Sequence, residues 1–193
     1  MGAPSLPRTP LVTQAITLAR QWCQGHVIDG SPAIGHALKV ARKVVEHLPD
    51  APESLLAAVI LHDAPYFAPK DLDLGLVLTD QLNPRVVQIV RAIQEEHDCL
   101  HHAVIPGVNV GEPDVIVASA ADKVVSIGAI LRRAQRHPTP AAYWMTRQPF
   151  VDRVPYFGAF ATAAGPILPM TLAEELKTVV GAAYAATRHA AKR

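Results

Sequence analysis

The run Leu55-Leu56-Ala57-Ala58-Val59-Ile60-Leu61 has no polar side. Asp50, Pro52 and Glu53 just before it read as the opening of a helix. Seven apolar residues in succession then leave that helix no face for water, which assigns it to the middle of a domain. Pro65 disfavours helical geometry at Ala64, so the helix is expected to end on His62-Asp63. An imidazole and a carboxylate at the end of the most buried element are costly unless they are paired or hold a cation. The partial negative charge at a helix C-terminus favours the cation. A solvated helix end is the alternative reading of the same pair.

The rest of the chain reads as helix after helix, with almost no strand-like alternation. Thr9-Pro10 is a cap and first-turn proline for a helix to about Gln24. After the turn Asp29-Gly30-Ser31-Pro32, a second helix is expected, capped by Ser31 with Pro32 in its first position. It carries Ile34, Leu38, Val40, Ala41, Val44, Val45 and Leu48. Beyond the central helix, a short helix covers about 72–81. Another runs from Pro84 to about His97, with Val86, Ile89, Val90 and Ile93 on one face. Gly107 to Pro113 is a loop, and a long helix spans about Asp114 to Gln135. His137-Pro138-Thr139-Pro140 marks a boundary. Two further helices are expected near Phe150–Ala164 and from Thr171 to about His189. The expected fold is all-α: a bundle over residues 1–135 with a C-terminal helical extension, 136–193, packed on it.

Composition narrows the function classes. Half of the 193 residues are hydrophobic and 18% are charged, enough for a real core and unlike a disordered chain. A net charge of +1 gives no bulk reason to expect binding to nucleic acid or a membrane surface. Cys23 and Cys99 are the only cysteines, which argues against a disulfide framework or zinc ribbon and for a reducing compartment. Met1 to Thr9 contains no apolar signal-peptide segment, and the longest apolar run, about Ile116–Leu131, contains Asp122 and Lys123. A cytoplasmic location is the expectation.

Two further polar groups interrupt apolar faces. His36 lies in line with Val40 and Val44, and Asp122 breaks the face made by Val115, Ala118, Val125 and Ala129. Lys123 is about 100° further round the helix. Alone, each group reads as a satisfied core residue. Together with His62 and Asp63 they make two imidazoles and two carboxylates, a set that suits Mn, Fe, Zn or Ni better than Mg or Ca. Such an ion lowers the pKa of a water it binds to near neutrality.

The order His36, then His62-Asp63, then Asp122 resembles the HD superfamily of metal-dependent phosphohydrolases. The stretches Asp29 to His36 with Val40-Ala41, Ala57 to Asp63, Gln81 to Val90, and Ala121-Asp122-Lys123 resemble the RelA/SpoT-type, or small alarmone hydrolase, branch. The resemblance covers roughly Thr9 to Arg133. It implies an HD-domain helical bundle with His36, His62, Asp63 and Asp122 as ligands of one divalent metal, manganese first. It also implies removal of a pyrophosphate from guanosine tetra- or pentaphosphate. This chain departs from the pattern in three places. The family's Glu-Asp pair after the His-Asp motif is Tyr66-Phe67, and aromatic side chains cannot take a proton from water at neutral pH. Its nucleotide-holding asparagine is Ser126, and its basic residues before the first histidine are replaced by Gly25-His26-Val27.

Glu96 and His97 continue the apolar face of Ile89, Val90 and Ile93, so either is a candidate proton acceptor. His101 and His102 lie just beyond. Lys39, Lys43 and Lys123 are candidates for phosphate binding, and Tyr66 and Phe67 for stacking on a base. The bland alternative for each is a solvated side chain. Three functions follow: a phosphohydrolase acting on a nucleotide or other phosphorylated metabolite, an iron-dependent oxygenase on the same ligands, and a non-catalytic binder of a nucleotide or partner. Fe, Ni and Zn stay open beside Mn, as does an oligomer.

Overall fold

Leu55 to Leu61 are at most 2% exposed, so the seven-residue apolar run is the centre of the protein. The computed structural model describes residues 5–28, 30–101, 107–108 and 110–188. Around the central helix α3 (Glu53–Ile60) pack α1 (Pro10–Trp22), α2 (Ala33–His47), α6 (Pro84–His101) and α7 (Pro113–Arg136). Burying a leucine or isoleucine such as Leu55 or Ile60 contributes roughly 1.5–3 kcal/mol. The shorter helices are α4 (Ala64–Phe67), α5 (Leu74–Gln81) and α8 (Pro140–Met145), and α9 (Gln148–Ala164) and α10 (Met170–Thr187) complete the set. Among the described residues no helix is long and apolar enough to cross a membrane.

Several helix starts follow their local chemistry. Thr9 Oγ1 accepts from the Val12 amide with Pro10 in the first turn, as the sequence predicts. Asp73 caps α5, and Asn83 Oδ1 accepts from the Val86 amide at the start of α6.

Other boundaries differ. Ser31 and Pro32 are taken up by a two-stranded hairpin, β1 (Val27–Ile28) with β2 (Ser31–Pro32), so Ser31 does not cap α2. Gly30 turns this hairpin with a φ of +70°, which glycine adopts without steric cost; Asp29 lies outside the described residues. The central helix stops at Ile60, and Leu61-His62-Asp63 form a turn. Pro65 occupies the first turn of α4. It does disfavour continuation of α3, but a proline is welcome in a first helical turn. α6 runs one turn further than expected because Leu100 is buried.

The C-terminal extension closes the core. α10 packs on α7 and α9, and Phe160, Leu172, Leu176 and Val180 belong to the same buried cluster as α3. The proline-rich boundary opens α8, which periodicity alone does not reveal.

Candidate metal centre

The turn after α3 presents His62 at 1% exposure. Its Nδ1 lies 2.7 Å from the Val59 carbonyl oxygen. A carbonyl only accepts, so Nδ1 carries the proton and Nε2 of the neutral ring carries the lone pair. That Nε2 has no hydrogen-bond partner although it is buried, and neither has Asp63 Oδ2, 3.3 Å away. Two buried polar atoms left orphaned side by side would each cost folding free energy. A cation between them would remove that cost.

α2 and α7 supply the rest. His36 Nε2 is 3.1 Å from Asp122 Oδ1, and His62 Nε2 is 3.7 Å from the same oxygen. One ligand atom from each of His36, His62 and Asp122 falls within 4.8 Å of the others. Ligands about 2.1 Å from one ion at right angles stand about 3 Å apart, so these spacings fit a common ion. Asp63 falls outside that mutual radius but borders it through His62. A backbone carbonyl fixing the tautomer of a liganding histidine is the usual outer support of a metal site.

Asp122 is the hub. Ser126 Oγ donates to Asp122 Oδ1 at 3.0 Å, and His97 Nε2 is 3.4 Å from Oδ2. Burial alone would raise the Asp122 pKa. The hydrogen bonds from His36 and His97 and the nearby His62 outweigh it and hold the carboxyl well below the usual range. For His97 burial acts downward, but the Asp122 carboxylate wins and its pKa is raised.

Residues of the set open onto a cavity of about 580 Å³, a size that suits a small-molecule ligand. His36, Asp63, His97 and Asp122 line one part of it, with Tyr66, Phe67, Lys123 and Ser126 beside them. Tyr66 donates its hydroxyl to Asp98 Oδ1 at 2.9 Å; burial first, then Asp98, raises its pKa. Phe67 stacks on His26 with ring centres 4.4 Å apart. His101 also lines the cavity, and His102 lies outside the described residues.

Other candidates go elsewhere. Glu96 does not line this cavity: it pairs with Lys123 and accepts hydrogen bonds from Ser119 and Tyr156. Burial acts to raise its pKa, but Lys123, Ser119 and Tyr156 together lower it, which makes Glu96 a weak base. Lys123 is 4% exposed, lies over the Phe160 ring and donates to Glu96 and Ser119. Lys43 bonds Glu46 and Glu175 on the other flank of α2, and Lys39 is exposed; neither lines the cavity.

Sequence reasoning missed the wall facing the metal set. Arg147, Phe150, Arg153 and Phe157 line it. The signal was present: Phe150, Arg153 and Phe157 fall at helical spacing, so Arg153 interrupts an apolar stripe just as His36 and Asp122 do. Scanned against protein-family models the chain finds no match, and a search of curated proteins finds no matching relative either.

Proposed function

We propose that this chain is a metal-dependent phosphohydrolase acting on a nucleotide or another small phosphorylated metabolite. The observation that carries the proposal is the buried His36, His62 and Asp122 set, with the His62 lone pair unsatisfied, beside a ligand-sized cavity. His36, His62, Asp63 and Asp122 would hold one divalent ion, manganese in the first instance and iron, nickel or zinc as alternatives. When bound, the ion would polarise a phosphoryl group and acidify a water.

The chain's own residues then have distinct tasks. Val59 orients His62, and Ser126 orients Asp122. His97 lines the cavity with Nε2 against Asp122, and its other ring nitrogen, Nδ1, is the atom proposed to accept a proton. Ile127, Ile130 and Phe150 give the cavity an apolar wall that limits water. Guanosine tetra- or pentaphosphate is the substrate that the motif resemblance implies, and Tyr66-Phe67 in place of the acid pair weighs against it.

A specific observation favours a second reading, a binder without turnover. Among the described residues Asp63 and Asp122 are the only carboxylates lining the cavity, and both belong to the proposed ligand set. The test is elemental analysis of protein purified without chelator, beside His62→Ala, followed by phosphate release over a nucleotide panel. About one metal per chain, lost in the variant, with phosphate released, is the expected result. Metal without turnover selects the binder. No metal after reloading ends the hydrolase reading and leaves a binder that needs no metal.

A further inference from the structure

α10 carries a second regularity beside the buried stripe that holds it to the core. Met170, Glu174, Lys177, Gly181 and Tyr184 recur at alternating steps of four and three, and all five are exposed. That spacing averages about 3.5 residues, the repeat that keeps a seam facing one partner helix. The outward face of a surface helix is ordinarily polar. Here Met170 is 74% exposed and Tyr184 45%.

The surroundings are as poor in charge. Between Arg153 and Arg188 the only charged residues are Glu174, Glu175 and Lys177. Glu175 is held by Lys43 and His47, whereas Glu174 and Lys177 have no ion pair among the described residues. All five seam residues line a groove of about 670 Å³ between α9 and α10. Its α9 side is kept shallow by Gly158, Ala161 and Gly165. Tyr184 lies over Gly158, where a larger residue would collide with its hydroxyl. Gly181 leaves a gap, since a Cβ there would meet nothing.

The seam complements itself when run backwards. Set a second α10 antiparallel, with a twofold axis between Glu175 and Leu176. Glu174 of each chain then faces Lys177 of the other. The same register sets Met170 of each chain, the most exposed large apolar residue, over the gap at Gly181 of the other. Charge and shape are independent, and one register satisfies both. A twofold interface needs a surface that matches itself in this way. We propose that the α9–α10 face is a homodimer interface, in which two α10 helices pair antiparallel with Met170 seated at Gly181 and Glu174 paired with Lys177. The groove and the metal cavity share no lining residue, so the proposal stands whatever the metal centre does.

The test is sedimentation equilibrium of the full chain across micromolar concentrations, with a thermal melt of every variant as a check on folding. The wild-type chain is expected to approach twice the 20.7 kDa of one chain. Lys177→Glu gathers four carboxylates at the twofold axis and should weaken the dimer about tenfold or more. Glu174→Lys combined with Lys177→Glu exchanges the charges, restores the pairing and should return the affinity to within about threefold of wild type. Gly181→Leu fills the gap and should weaken the dimer about tenfold or more. A wild-type chain that stays monomeric overturns the proposal and leaves the face to a partner of another sequence. A dimer indifferent to both Lys177→Glu and Gly181→Leu overturns it too. So does a Lys177→Glu defect that the charge exchange fails to repair.

Discussion

Replacing Lys123 with methionine separates two roles for this residue. As a phosphate ligand, Lys123→Met would weaken substrate and spare the fold. The structure argues for the opposite, since the ammonium is buried against Glu96 and Ser119. Removing one member of a buried ion pair typically costs about 3–5 kcal/mol, because the survivor is left charged and unpaired. Glu96 can escape by taking a proton. From an ordinary carboxyl value of 4.5 to pH 7, at about 1.36 kcal/mol per pH unit, that escape costs about 3.4 kcal/mol. The expected loss at pH 7 is therefore about 3 kcal/mol, a fall in Tm of roughly 6–12 °C for a chain of this size.

The pH dependence has a definite sign. In the wild-type chain the folded Glu96 pKa is depressed, so its contribution is present above pH 4.5 and is lost as pH falls through the folded value. In Lys123→Met the folded pKa is raised, so the variant gains on the wild type as pH falls from 7 towards 5. Urea unfolding at pH 7 and pH 5 measures both. Glu96→Gln combined with Lys123→Met should recover much of the loss, since a neutral amide keeps hydrogen bonds to Ser119 and Tyr156. A loss below about 1 kcal/mol for the single variant, independent of pH, would refute the reasoning.

Two other outcomes are expected. Ser126→Ala removes the donor to Asp122 Oδ1; metal affinity, read by competition with a chelating dye, should fall about tenfold without being abolished. A chain truncated after Pro138 should be insoluble or lack a cooperative melt, because it exposes the face of α7 on which α10 packs with Leu172 and Leu176 buried. A cooperative melt near the wild-type Tm would show that the extension is dispensable for the core.

What could be read from the sequence was local. The apolar run of α3 has one physical solution, burial, and the structure adopts it. His36 and Asp122 could be picked out because each interrupts an apolar helical face, and they meet across 86 positions of sequence. The hairpin was illegible because two residues per strand give no alternation to detect. Glu96 read as a proton acceptor and Lys123 as a phosphate ligand, or each as a solvated side chain, since nothing in a local window announces a partner 27 residues away. Arg153 carried the same signal as Asp122, an ion on an apolar stripe, but it lay beyond the stretch whose motifs drew attention.

α6 and α7 meet through two adjacent residues on each helix. Glu96 joins Lys123 while its neighbour His97 joins Asp122. The charges therefore run acid-then-base on one helix and acid-then-base on the other, and they match only when the helices are antiparallel and correctly turned. Rotate α6 by one residue and Glu96 would confront Asp122, two carboxylates facing each other where both are largely buried. The four side chains work as a key with a single orientation, checked as the helices close. Reversing the order on one helix alone would jam it; reversing both would let the helices dock again, but with a carboxylate and an ammonium at the cavity positions that His97 and Asp122 hold.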